Sequence, residues 1–448
     1  MKIQTITSTA LFLIFSSGAL AKVSQEQANK LGSELTPMGA QVAANTTGSI
    51  PSYTGGLSAD INADPFVDVF SQEKPLFTIT AENVANYQDN LSDGQKALFK
   101  KYPDTYKMPI YKSHRTAAYP QETYAKAKKN AVTTELVDGG TGLSQFDETV
   151  PFAIPQNGLE VIWNHVSRFR GGSVERNTAQ VTVQRDGNFT PIKTRSNFTM
   201  PQYLQDGFDK NSDDNILFYY VSKVKSPARF TGNVFLVHET IDQIKQPRMA
   251  WTYNSGQRRV RRAPQVAYDA PAQASEGLKT TDQIDMFNGA PDRYDWNLVG
   301  KKEIYIPYNS YKLADKNVKY KDIVKAGHIN QDYSRYELHR VWQVEATLKE
   351  DARHIYSKRT FYVDEDSWQI ALADHYDNRN QLWRSAEGHS LQFVNANAPW
   401  YASITYYDLM SGRYAVELNN EERDAFKFRN KITRKSFTAA AIRRMGKR

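Results

Sequence analysis

The sequence predicts an α+β fold, mostly antiparallel β, in which one large curved sheet forms an incomplete, half-open barrel with helices packed on or in its concave face. Three observations point there. First, Glu337 to Lys349, His354 to Val363 and Ser367 to Tyr376 are strand-like runs separated by short polar turns. Second, the connections between residues 171 and 262, and between 337 and 418, are too short for parallel crossovers, so these strands form a meander. Third, a strong amphipathic helix pattern, Leu159, Ile162, Trp163, Val166 and Phe169, precedes the strands and ends at Gly171-Gly172. A stripe of that kind packs on a sheet.

Taken in chain order, residues 1–21 read as a signal peptide. Lys2 precedes the apolar run Ala10 to Phe15, and Ala19-Leu20-Ala21 supplies small residues for cleavage after Ala21. The mature chain is therefore expected in the periplasm. No later run approaches the roughly 20 apolar residues of a membrane-spanning helix. Residues 22–150 read as an irregular and helical region wrapping the barrel. Thr80 is placed to cap a helix from Ala81, and Ser92 with Gln95 forms a capping-box pattern before Ala97 to Lys101. Pro120 to Asn130 reads as another short helix.

Residues 151–420 carry the barrel and its plug helix. Thr178 to Arg185 and Phe189 to Arg195 flank the hairpin signal Asp186-Gly187-Asn188. Strands are then expected at 215–225, 233–241, 248–253 and 257–262, with an excursion from Pro264 to Phe287. Trp296 to Tyr308, the three runs above, Ser403 to Leu409 and Arg413 to Leu418 complete the sheet. Residues 421–448 read as a basic helical extension. Its ending, Met445-Gly446-Lys447-Arg448, lacks the terminal aromatic expected of an outer-membrane barrel.

Composition narrows the chemistry. The chain has 0 Cys, which removes thiolate nucleophiles, Cys-zinc sites and iron–sulfur clusters. Its formal charge of +8 suits anionic lipid headgroups, and with them peripheral membrane contact, better than nucleic acid in an exported protein. Metalloprotease, nucleophile-elbow, phosphate-loop and dinucleotide motifs are all missing from the sequence, so no cofactor, metal or enzymatic activity is expected. His339, His354 and His375 with Asp364, Asp366 and Asp374 offer the alternative, a hydrolase or lyase acting on envelope material through residues near 339–377. Strand alternation puts Asp374 and His375 on opposite faces, against a single constellation.

Arg258-Arg259-Val260-Arg261-Arg262 is the densest charge run. It reads as an inward ion-pair network with Asp364, Asp366, Asp374 or Asp377 in preference to an outward anion-binding stripe. Trp251, Tyr253, Trp342, Phe361, Trp368 and Ile370 are the candidate apolar lining, with Arg340 as a headgroup contact. Sequence alone does not separate lining from filled core.

A wider pattern resembles a bacterial family of exported proteins, domain of unknown function 1329. The resemblance rests on Leu35-Thr36-Pro37 with Gly39-Ala40, Ile50-Pro51 with Gly55-Gly56, and Arg258 to Pro264 followed by Tyr268-Asp269. It continues through Phe287-Asn288-Gly289, Asp292 to Trp296, His339-Arg340-Val341-Trp342, His354 with Lys358-Arg359, and Asp364 to Trp368. That family is similar to the LolA/LolB-like lipoprotein carriers. The resemblance implies a hydrophobic cavity, a lipid or other hydrophobic small molecule as ligand, and transport between inner and outer membranes. It also implies association with a resistance-nodulation-division exporter and an outer-membrane protein. The greater length and the 26 Tyr of this chain depart from the classical carriers.

Overall fold

A computed structural model describes residues 23–263, 268–422 and 425–447. The expected leader and its cleavage site lie outside the described residues. Among them, a 16-stranded sheet dominates. One run of the chain supplies the consecutive antiparallel strands Tyr294–Pro307, Tyr336–Leu348, Lys358–Asp364, Ile370–Tyr376, Leu382–Phe393, Ala398–Asp408 and Tyr414–Leu418. The last pairs with Val174–Val183, which begins a second meander through Phe189–Thr199, Ile216–Ser226, Val234–Thr240, Met249–Asn254 and Arg259–Arg262. The two ends, 294–307 and 259–262, do not pair with each other, so the sheet stays open.

Register explains why the middle of the sheet is buried on both sides. The transverse row Phe361, Ala373, Ala386, Tyr406 and Ala415 faces the main core, while the next row, Tyr362, Leu372, Glu387, Thr405 and Val416, faces the other way. The helix Gly158–Ser167 lies on the first face. Asn157 caps it, accepting from the Glu160 amide at 3.0 Å, and its residues from Val161 to Ser167 are all buried. The helix Asp93–Lys101 lies on the second face. Ser92 and Gln95 form the expected capping box, and Leu98 and Phe99 pack with Tyr407, Tyr414 and Val416. Gly94 is required at this contact, since a Cβ would sit 2.1 Å from the Asp374 carboxylate.

Several elements differ from expectation for identifiable reasons. Leu382–Phe393 is a strand without the alternation that marks one. Covered on both faces, it is buried from Arg384 to Phe393 and mixes Ser, Glu, Gly and His with apolar residues. The segment after Thr80 is a 3-10 helix, Val84–Asn90, rather than an α-helix from Ala81. His354 to Tyr356 precede their strand, because His354 Nδ1 accepts the Tyr356 amide at 3.0 Å and turns the chain. Beyond residue 421 the chain first adds a strand, Phe426–Phe428, whose aromatics pack on Phe393. Among the described residues there, Arg434–Ser436 forms a short 3-10 helix and Ala439–Lys447 an α-helix. No described helix is long and apolar enough to cross a membrane.

Candidate functional site

The apolar face of the open sheet is occupied. Ile162, Trp163, Val166 and Phe169 from the helix segment share one cluster with Phe361, Trp368, Ile370 and Trp400, and each of these residues is buried. The crevice left between Ile162, Trp163 and Val166 on one side and Leu217, Phe287 and Pro291 on the other has a volume of about 10 Å³. One water needs about that much. A crevice of that size does not admit an acyl chain. A second opening of about 490 Å³, between Gln88–Asp93 and Lys302–Glu303, is lined mainly by charged and amide side chains and does not suit an apolar guest.

The helix is tied down at its C-terminal end. His165 Nδ1 accepts the Ile370 amide at 3.1 Å, and Nε2 donates to the Asp285 carbonyl at 2.8 Å. The first contact requires a neutral ring, and burial holds the His165 pKa well below the ordinary value. Arg168 and Arg170 follow the helix and converge on one carboxylate, Asp285, at 2.9 and 2.8 Å. Burial alone raises the Asp285 pKa, and the two guanidiniums overcome it to hold the group far below the usual carboxylate range. Burial, together with the like charge of Arg168, lowers Arg170 to about 10. The loop that presents Asp285 is strained. Ala274, Glu276, Asp285 and Met286 all have left-handed φ values, from +48° to +72°.

Sequence reasoning named neither Arg168 nor Arg170 nor Asp285. The available signal was two arginines directly after an apolar helix face, a placement that demands a buried acid.

The seven residues proposed as a ligand site separate into three places. Trp342, Phe361, Trp368 and Ile370 belong to the cluster beneath the helix, with Trp342 and Trp368 stacked at 6.4 Å. Trp251 and Tyr253 lie far along the sheet, in a different cluster with Phe437, Ile442 and Met445. Alternation assigns a side chain to a face but not to a position around the curve. Arg340 donates to Glu365 at 2.8 Å and to the Ala43 carbonyl, so its charge is already matched.

The hairpin turn Asp364 to Trp368 gathers a dense charge network. Arg115, absent from the expected site, binds Asp366 with two bonds of 2.8 and 2.7 Å. Lys301 and Arg340 hold Glu365. His339, Asp364 and Asp366 bring ligand-type atoms within 4.8 Å of one another. Asp364, pushed up to about 6 by burial and by the charge of Asp366, has one oxygen without a partner. His354 and His375 belong elsewhere, flanking Tyr356 above the Asp282–Arg359 pair. The three histidines thus do not meet.

The arginines at 258–262 correct an expectation. All four are exposed and, among the described residues, make no ion pair, whereas Asp366 is held by Arg115. Their strand is the last of the sheet, with no acid opposite.

The buried carboxylates predict a pH profile. Burial raises Asp374 to about 6 and Glu387 to about 7. These groups hold protons more tightly folded than unfolded, so stability falls as pH rises from about 4 to 7. Asp282 and Asp285 act oppositely: their contribution is present above about pH 4 and is lost below it. The buried histidines His165, His375 and His389, whose pKa values burial lowers, act against that fall over the same range. The part due to the carboxylates is therefore read as a difference: in urea denaturation, the double variant Asp374→Asn, Glu387→Gln should gain stability relative to the parent between about pH 5 and about pH 7.5, since each tenfold difference in proton affinity between folded and unfolded chain is worth about 1.4 kcal/mol.

Comparison with known proteins places the chain. It is 54% identical over 452 residues to an uncharacterised Pseudomonas aeruginosa protein, PA3922, covering 100% of this chain and 99% of that one. A crystal structure of a DUF1329 family protein from Desulfovibrio piger overlaps at TM-score 0.42 and 16% identity, over 60% of this chain and 91% of that one. A putative outer membrane lipoprotein-sorting protein domain from Vibrio parahaemolyticus overlaps at TM-score 0.42 and 12% identity, over 61% and 92% respectively. A LolA superfamily protein, NE2245 of Nitrosomonas europaea, overlaps at TM-score 0.38 and 13% identity, over 64% and 99%. The family model described as "Protein of unknown function (DUF1329)" matches residues 78–443, and the chain belongs to that family.

Proposed function

We propose that this protein is a periplasmic carrier for a lipid or other apolar chain, and that the structure represents its closed, empty state. Physical necessity favours self-filling. An empty apolar trough open to water costs about 25 cal/mol for each Å² exposed, so a carrier without cargo covers it. Here the cover is the helix Gly158–Ser167, and cargo would replace its side chains against Phe361, Trp368 and Ile370. The observation that carries the reading is the latch. One carboxylate in a strained loop, Asp285, holds both arginines that follow the helix. Backbone strain at such a point is a device of switches. Exchange with an inner-membrane exporter or an outer-membrane partner would then turn on whatever loosens Asp285.

Asp285→Asn keeps the side-chain shape and removes the charge. Loss of a charged hydrogen bond is worth about 1.5–3 kcal/mol, so uptake of a fluorescent fatty acid should tighten about tenfold or more. Unchanged or weaker uptake by a folded Asp285→Asn protein would count against the latch.

A further inference from the structure

Three segments distant in sequence meet at one end of the sheet. Residues 222–233 close the strand Ile216–Ser226 and turn into Val234–Thr240. Residues 249–262 form the last hairpin, and residues 431–447 carry the helix Ala439–Lys447, which lies across these strands. The packing is specific. Ile442 is buried and Met445 packs with Trp251, Tyr253 and Val260. Lys223 Nζ donates to the Met445 carbonyl at 2.6 Å, and Gly446 lies where any Cβ would strike the Tyr253 ring.

Together the three segments contain 13 Lys and Arg and no Asp or Glu. Those 13 charges exceed the +8 of the whole chain, so the remainder is net acidic. Positive charge is thus concentrated at one pole, whose acidic neighbour is the loop 206–214 that takes up Arg434. Arg434 is paired with Asp213 and Asp206, whereas Arg258, Arg259, Arg261, Arg262, Arg443, Arg444 and Lys447 are exposed. Val260 packs toward the helix, so Arg262 shares its face and Arg259 and Arg261 take the other. The guanidiniums therefore straddle the rim of the terminal strand. Among the described residues, nothing pairs with its outer side.

We infer that this pole is a docking surface for an anionic lipid bilayer. Charge complementarity selects the occupant: a cluster of exposed arginines without acids matches a dense, laterally mobile array of phosphates. A helix already packed on the sheet contributes charge to the surface without inserting. The inference does not depend on the carrier reading, because it uses none of the residues around the 158–167 helix.

Sedimentation of the full chain with vesicles tests it. The protein should bind vesicles containing phosphatidylglycerol at low ionic strength, release in high salt, and ignore vesicles of phosphatidylcholine alone. Changing Arg258, Arg259, Arg261 and Arg262 to Gln should weaken binding at least about a hundredfold. All four are exposed, so thermal unfolding should not change. Changing Lys100, Lys101, Lys128 and Lys129 to Gln removes the same net charge from exposed positions on two other helices and should have little effect. Equal losses in the two variants, equal binding to neutral vesicles, or no binding to anionic ones would overturn the inference.

Discussion

Asp282→Ala is expected to destabilise the protein by about 3–5 kcal/mol, seen as a lower midpoint in chemical denaturation. Arg359 is fully buried, and its guanidinium donates to Asp282 at 2.6 Å. Two of its nitrogens, Nε and Nη1, have no partner, and the rings of Phe287, Tyr294 and Tyr356 surround the rest at 4.8–5.6 Å. Removing the carboxylate leaves a buried cation with no anion beside it, its remaining neighbours being the π faces and the His354 ring, 2.6 Å from Nη2. Removing both charges with Asp282→Ala and Arg359→Met should recover much of the loss, because the buried cation goes too. A double variant no better than Asp282→Ala alone would mean that packing, not charge, holds this region.

The second large effect concerns Trp368. Its indole is wholly buried and donates to the Met38 carbonyl at 2.8 Å, joining the amino-terminal segment to the hairpin turn. Trp368→Ala should cost about 3–5 kcal/mol. The backbone at this position is left-handed, with φ +57°, which disfavours every residue bearing a Cβ. Trp368→Gly should therefore be the milder change by about 1 kcal/mol, although it removes more atoms. A glycine variant less stable than the alanine variant would refute the strain.

What was legible in the sequence follows from what local chemistry encodes. The Ser92–Gln95 cap, the helix after Gly158 and the meander from 337 to 376 are signalled by neighbours in sequence, and each forms. The strand Leu382–Phe393 carries no such signal, because burial on both faces removes alternation. Long-range charge partners are equally silent. Arg115 meets Asp366 across 251 residues, and Arg168 meets Asp285 across 117. Nothing local specifies either pair. The arginines at 258–262 mislead for the same reason: placing them outward requires knowing that their strand ends the sheet. Trp251 and Trp342 look equivalent as aromatic strand residues, yet only Trp342 packs beneath the helix.

The central claim is that the helix yields its place to an apolar guest. Native mass spectrometry of the full chain, isolated gently from the cells that make it, addresses this most directly. A lipid-sized adduct that leaves on collisional activation, with higher occupancy in Asp285→Asn, is the expected result. Bare polypeptide in both proteins, even after incubation with membrane lipid extract, would contradict it.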